Sequence, residues 1–325
     1  MPRTATLVVL SDIHYASAAE KSRGSDYEYQ GIPNPLHRLL LKAFRRFIWL
    51  RDPLGQNSLL DAFLKRAGDA ACVVANGDYS CDTAFVGVID DAACQSAREC
   101  LDKLRSKFGP VLRATIGDHE LGKFTLVGAR GGMRLASYHR AREELGLEPF
   151  WKLRLGRYVL MGLTSSLVAF PVFEAETMRE ERPGWERLRQ QHLAEIRAAF
   201  SGLGSSDRVL LFSHDPTALP FLWQEESVRR RLPQIEQTII GHLHSNLVLW
   251  KSRVLAGMPA IGFLGHPARR MSTALREARY WKPFRVRLCP SLAGIELLKD
   301  GGYYTAKLDL DGGDPARFHF HRIPR

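Results

Sequence analysis

Thr6-Leu7-Val8-Val9-Leu10-Ser11-Asp12-Ile13-His14 is an apolar, partly β-branched run that stops abruptly at residues able to ligate a metal. The same pattern returns at Ala71-Cys72-Val73-Val74-Ala75 before Asn76-Gly77-Asp78, and at Val111 to Ile116 before Gly117-Asp118. Continuous runs of this kind suit strands buried on both faces. Tyr158 to Leu163, Val209 to Phe212 before Ser213-His214, and Thr238 to Ile240 before Gly241-His242 bring the set to six predicted strands. Helices are predicted between them at Ser58 to Ala67, Ala92 to Phe108, Ala136 to Leu145 and Gly184 to Phe200, so strand and helix alternate as in an α/β protein. Gly294 to Leu310, with its Asp300-Gly301-Gly302 turn signal, predicts a β-hairpin.

The composition fits that frame. With 325 residues, 45% hydrophobic and 25% charged, the chain falls among ordinary globular proteins and outside disordered or fibrous classes. No composition break divides it, which predicts one domain over residues 1–325. The opening residues pass directly into Leu7-Val8-Val9-Leu10, leaving no room for a secretory leader, and the expected location is cytoplasmic. No apolar run approaches the roughly 18 residues of a membrane-spanning helix. The five cysteines, Cys72, Cys81, Cys94, Cys100 and Cys289, form no C-x-x-C pair and read as reduced, buried thiols. A formal charge of +11 favours anionic partners without saying which.

The chemistry lies in five motifs: Asp12-x-His14, Gly77-Asp78, Gly117-Asp118-His119-Glu120, Ser213-His214 and Gly241-His242-x-His244. Each follows an apolar run, and in open α/β sheets ligands collect outside the carboxyl ends of strands. Residues i and i+2 leaving a strand can converge on one ion, and an adjacent glycine lets the backbone bend closely around a site. A lone strand-end Asp or buried His is usually structural; five such motifs in this context point to metal. Carboxylate and imidazole donors without nearby thiolates suit manganese, iron or zinc rather than a Cys-rich structural zinc.

The ordered set from Asp12 to His244 resembles the calcineurin-like metallophosphoesterases, whose pattern is D-x-H, G-D, G-N-H-D/E, H and G-H-x-H. The resemblance implies a four-layer α/β/β/α sandwich of two mixed sheets and a dinuclear centre of two divalent ions (Mn2+, Fe2+/Fe3+ or Zn2+). Asp12, His14 and His244 would hold one ion, Asp118, His214 and His242 the other, and Asp78 would bridge them. His119 would face the leaving group as general acid or hydrogen-bond donor. The implied reaction is hydrolysis of a phosphodiester, phosphomonoester or pyrophosphate bond by a metal-bridging hydroxide. One departure stands out: Asp118 replaces the family's usual Asn. Three carboxylates against two divalent ions leave a charge of about +1 where the Asn version would have about +2, which predicts a mild bias toward diesters.

Other residues carry finer expectations. Asp82 reads either as an orienting partner for His119 or as a solvated or capping Asp. His37, His139, His192, His266, His319 and His321 lie outside the motifs and are assigned surface or packing roles. A lid is expected from residues 16–57, with residues 121–150 a second contributor. Within the first, Leu36 to Arg51 forms an amphipathic helix with Leu36, Leu39, Leu40, Ala43, Phe44, Phe47 and Leu50 on one face and Arg38, Lys42, Arg45 and Arg46 on the other. The favoured expectation packs the apolar face on the core. The competing one lays it on the inner face of an anionic membrane, with a lipid-linked substrate, as some bacterial relatives use a basic, apolar insertion when they cleave a lipid A precursor. Arg229-Arg230-Arg231 and the cluster Arg269, Arg270, Arg276, Arg279, Arg285 and Arg287, with Tyr280, Trp281 and Phe284, supply the alternative of a DNA or RNA nuclease. A second alternative is a non-catalytic metal-binding scaffold. Nothing in the sequence points to a protein partner.

Overall fold

The computed structural model describes residues 3–125, 130–257 and 275–324. Its strands are β1 (Thr4–Leu10), β2 (Cys72–Asn76), β3 (Leu112–Thr115), β4 (Phe150–Leu155), β5 (Tyr158–Leu163), β6 (Arg208–Ser213), β7 (Ile235–Ile240), β8 (Val286–Leu288), β9 (Gly302–Asp309) and β10 (Arg317–Arg322). They form two five-stranded sheets, ordered β10-β9-β1-β2-β3 and β4-β5-β6-β7-β8. In the first, β1, β2 and β3 run parallel while β9 is antiparallel to both β1 and β10. In the second, β5 to β8 run parallel and β4 is antiparallel to β5.

Side chains alternate across a strand, and that alternation builds the layers. Leu7 and Val9 of β1 share a buried cluster with Leu160, Leu210, Phe212 and Ile239 of the other sheet, so the sheets pack face to face. Val8 and Leu10 point the other way, into a cluster with Phe63 of the Asn57–Arg66 helix and Leu101 and Leu104 of the Asp91–Phe108 helix. On the far side, Met161 and Leu211 meet Leu193, Ile196 and Phe200 of the Arg182–Ser201 helix. The result is the expected α/β/β/α sandwich of two mixed sheets, with all six predicted strands present and parallel neighbours where the βα alternation required them.

Two expectations need correction. The hairpin is not Gly294 to Leu310, because only β9 in that span is a strand, and its antiparallel partner is β10 across residues 310–316. The Asp300-Gly301-Gly302 signal marks a bend folded back on Gly294 instead. Asp300 accepts from Ile295 N at 3.1 Å and from Ser245 Oγ at 2.7 Å, and the Gly301 backbone lies too near Leu292 O to admit a Cβ.

The second correction concerns the helix expected over Leu36 to Arg51. It spans Pro35–Phe47, capped by Asn34 Oδ1, which accepts from Leu36 N and His37 N, and it contains no buried residue. Its apolar face does not pack on the core: Leu36, Leu39, Leu40 and Phe47 are each more than half exposed. Its basic side is partly engaged by acidic groups that precede the helix. Arg45 pairs with Glu28, Lys42 lies 3.7 Å from Asp26 and over the Tyr29 ring, and Arg38 donates to Ile32 O. Among the described residues no helix is long and apolar enough to cross a membrane.

Candidate metal centre

The five motifs leave the carboxyl ends of β1, β2, β3, β6 and β7 on the same edge of the sandwich, and backbone bonds tie their loops together. Asp12 N donates to Gly77 O at 3.1 Å, His14 N to Asp78 O at 3.1 Å, and Gly241 N to His214 O at 2.9 Å. The glycines permit this closeness: a Cβ on Gly77 would stand 2.7 Å from His214 Nδ1, and one on Gly241 would stand 2.0 Å from Ser11 Oγ. Asp12, His14, Asp78, His242 and His244 all adopt the left-handed region, with φ between 50° and 60°. Each such residue costs roughly 1–3 kcal/mol and persists only where its surroundings over-determine it.

The loops converge four groups of donors, with the ligating atoms in each group within 4.8 Å of one another: Asp12, His14 and His244; Asp118, His214 and His242; Asp12, Asp78 and His214; His14, Asp78 and His119. The first two groups are the triads expected from the sequence, and Asp78 belongs with members of both. His14 Nε2 lies 3.3 Å from His244 Nε2, and Asp12 Oδ1 3.3 Å from the same nitrogen. In the second triad Asp118 Oδ1 lies 3.1 Å from His214 Nε2 and 3.0 Å from His242 Nδ1, while Asp78 Oδ2 is 3.1 Å from His214 Nε2. The outer nitrogens are fixed as well. His14 Nδ1 is 3.3 Å from Ser80 O and His214 Nδ1 2.6 Å from Asn76 O, an arrangement that turns each ring's Nε2 inward.

Opposite charges in the buried donor set hold one another in their ionised forms. Burial and Asp118 push Asp78 up, yet His119 and His214 outweigh them and hold it below the usual carboxylate range. Burial alone would strip charge from His214, but Asp78, Asp12 and Asp118 hold its pKa well above the usual value. Burial likewise opposes charge on His242, and Asp215 and Asp118 carry it up to about 9. Three carboxylates this close, taken from water, require positive charge among them, and their oxygen and imidazole donors fit two divalent ions of the manganese, iron or zinc type.

His119 stands beside the set, with Nε2 3.6 Å from Asp78 Oδ2 and its ring 4.6 Å from that of His14. Burial pushes its pKa down to about 3, Lys123 adding to the effect and Asp78 opposing it. Asp82 does not orient it. That residue is buried rather than solvated, accepting from Gly87 N at 3.0 Å, and its other oxygen has no hydrogen-bond partner. Burial raises its pKa well above the carboxylate range.

Three residues without a sequence-assigned role belong to the site. Glu120 lies beneath it, accepting from Gly117 N at 2.8 Å, Tyr79 N at 2.8 Å and Asp78 N at 3.1 Å, and so joins two of the loops. Trp49, two residues beyond the exposed helix, sets its ring 4.8 Å from that of His244. Lys123 Nζ lies 3.2 Å from Asp118 Oδ2 and also meets His119 Nε2. Glu120 stood inside a quoted motif, three residues after Gly117, a spacing that suits a side chain reaching back to a helix start. Lys123 and Trp49 carried no such signal.

Outside the centre, His37, His139 and His319 are exposed, His192 is buried, and His321 stacks on Tyr303. His266, Arg269 and Arg270 lie outside the described residues. All five cysteines are free and buried. The remaining basic clusters are mostly engaged: Arg230 pairs with Glu226, Arg229 lies over Trp223, and Arg287 lies over Phe318.

The chain is similar in structure to a dimetal phosphatase from Danio rerio, with a TM-score of 0.50 and 15% identity over 100% of this chain and 98% of that one. It also matches a purple acid phosphatase from yellow lupin seeds (TM-score 0.37, 12% identity, 75% of this chain and 38% of that one). A third match is a conserved protein of Streptococcus pneumoniae described as a predicted phosphoesterase (TM-score 0.30, 10% identity, 99% and 100%). No family model and no curated protein matches the chain.

Proposed function

We propose that this chain, which has the fold of a dimetal phosphatase, is a calcineurin-like metallophosphoesterase that hydrolyses a phosphate ester or anhydride at a dinuclear centre. The observation that carries the proposal is the donor geometry: two triads, Asp12-His14-His244 and Asp118-His214-His242, with Asp78 grouped with members of both. Asp12, His14 and His244 would hold one divalent ion, Asp118, His214 and His242 the other, and Asp78 both. When bound, such ions supply a nucleophile from water near neutral pH and screen phosphate charge. The protein's own contribution is orientation: Ser80 O and Asn76 O fix the His14 and His214 rings, and His242 N donates to Asp12 Oδ1 at 3.0 Å. His119, adjacent to Asp78, would donate a hydrogen bond or proton to the departing oxygen. Residues 1–325 would act as one domain, with residues 16–57 and part of 121–150 shaping access.

The test is hydrolysis of paired chromogenic phosphomonoester and phosphodiester substrates after reconstitution with manganese, zinc or iron. Metal-dependent turnover that falls in His119→Ala with metal content retained, and in a folded Asp78→Ala with metal content lost, is the expected result. Two bound ions with no turnover on any ester would favour the non-catalytic scaffold.

One finer reading has an observation of its own. The outward apolar face of Pro35–Phe47 continues into Ile48 and, through Leu297 N donating to Ile48 O, into exposed Leu297 and Leu298. Trp49 connects this surface to His244. A contiguous exposed apolar patch at a site's entrance suits a lipid surface and a lipid-linked phosphate substrate. Lys42 and Arg45 already pair with Asp26 and Glu28, so insertion of the apolar face would act alongside attraction of exposed Arg38 and Arg46 to anionic headgroups. The engaged arginine clusters give the nuclease reading no comparable support.

A further inference from the structure

Asp118 puts a carboxylate where the pattern that this chain resembles has a neutral carboxamide, and Lys123 is placed to offset it. The chain reaches the site by a bend: Gly122 has φ 94°, and Lys123 N donates to Phe85 O at 3.2 Å. From there the side chain turns inward, leaving Nζ 3.2 Å from Asp118 Oδ2 and against His119 Nε2. Among the described residues it is the only lysine or arginine paired with Asp12, Asp78 or Asp118.

Resting on the phosphoesterase reading, we infer that Lys123 is a phosphate-binding residue of the centre, its ammonium restoring the positive charge that Asp118 removes and facing the phosphoryl oxygens from the His119 side. Two divalent ions and one ammonium against three carboxylates leave about +2, the charge of an Asn-type centre. The charge argument for diesters over monoesters, made from Asp118 alone, then disappears. Lys123 would bind a dianionic phosphoryl group as a point charge, while Asp118 keeps an oxygen on the second ion.

Calorimetric binding of inorganic phosphate to the metal-loaded protein, at fixed ionic strength and with metal content counted in every variant, tests this without turnover. Lys123→Met should weaken phosphate binding roughly tenfold, and Lys123→Arg should stay within about threefold of wild type. Asp118→Asn should tighten binding, and Asp118→Asn/Lys123→Met should return it close to wild type. The comparison of Asp118→Asn with the double variant reads the same ammonium without leaving Asp118 unpaired, which keeps the test valid if Lys123→Met folds poorly. A merely structural lysine would change thermal stability and leave phosphate affinity alone. Phosphate affinity unchanged in Lys123→Met with two ions bound, or a double variant as weak as Lys123→Met, would overturn the inference. A wild type that takes up no second ion would remove the dinuclear premise itself, and the metal count tells that failure from the first.

Discussion

At the donor set, six of the seven expected metal ligands are buried, while along Pro35–Phe47, two residues short of Trp49, five large apolar side chains are exposed. Both regions reverse the usual distribution of polarity, and each does so with a physical cause on view. Charge stays inside at the centre because backbone donors, paired opposite charges and, on the proposed reading, two cations compensate its desolvation. Apolar surface stays outside on the helix, which Lys42–Asp26 and Arg45–Glu28 pairs tie to the chain before it. A buried polar cluster and an exposed apolar patch are the two observations that most often mark function, and here Trp49 joins them.

Removing the carboxylate that groups with members of both triads should break the first half of that contrast most severely. Asp78→Ala is expected to lower kcat/KM on the order of 10³-fold, equivalent to about 4 kcal/mol, with metal content falling below two ions per chain. The metal-free variant should melt below metal-free wild type, since His119 N loses its acceptor and His214 loses a carboxylate 3.1 Å from its Nε2. A metal-free variant as stable as metal-free wild type would mean that repulsion among the three carboxylates outweighs these pairings.

Glu120→Ala tests whether the loops need their shared anchor. Three backbone N–H groups would lose a buried acceptor, and denaturant unfolding should show a loss of about 3 kcal/mol. A loss under about 1 kcal/mol would place the rigidity of the site in the backbone bonds alone.

The centre was legible in the sequence to a degree that the helix was not. An apolar run ending in Asp12-x-His14 or Gly241-His242-x-His244 encodes strand, strand end and ligand within ten residues, so local reading suffices. How Pro35–Phe47 is seated depends instead on Asp26 and Glu28, which precede it and whose pairing no periodicity reports. Lys123 was hidden for a similar reason: it reaches Asp118 only because Gly122 ends the Asp118–Leu121 helix and Phe85 captures the next backbone N–H. The missed strands β4, β8 and β10 are edge or near-edge elements, mixed in polarity as in Phe150-Trp151-Lys152-Leu153-Arg154-Leu155, and lack the continuous apolar run that marked the interior strands. The β-hairpin was displaced because Asp-Gly-Gly signals a bend without saying which chain segments flank it.

His192 sharpens the account of buried charge by lacking a compensating partner. Its Nε2 accepts from Thr164 N at 3.2 Å, its Nδ1 has no hydrogen-bond partner, and exposed Glu195 is 3.9 Å away. Burial pushes its pKa down to about 3, opposite to His214, whose carboxylates hold it up. The folded value lies below the unfolded value near 6.5, so the neutral ring's contribution is complete above that pH and is lost as pH falls toward 3. Between pH 7 and pH 5 the loss should be about 2 kcal/mol, and His192→Gln should remove that part of the pH dependence. An unchanged slope in the variant would show that His192 is solvated or protonated in the fold.

The smallest effect belongs to the helix, and its smallness is the point. Leu39 and Phe47 are 63% and 61% exposed, so Leu39→Glu/Phe47→Glu should change unfolding free energy by no more than about 0.5 kcal/mol. A face packed on the core would lose several times that, since truncating one buried leucine or phenylalanine alone costs about 2–5 kcal/mol. On the proposed lipid reading, wild type should co-sediment with phospholipid vesicles and the same variant should not. Because the exposed face is apolar, the wild-type association should persist on neutral vesicles. Large destabilisation would restore the packed helix and remove the contrast with the centre. Unchanged stability with unchanged vesicle binding would keep the exposed face but assign it to something other than lipid.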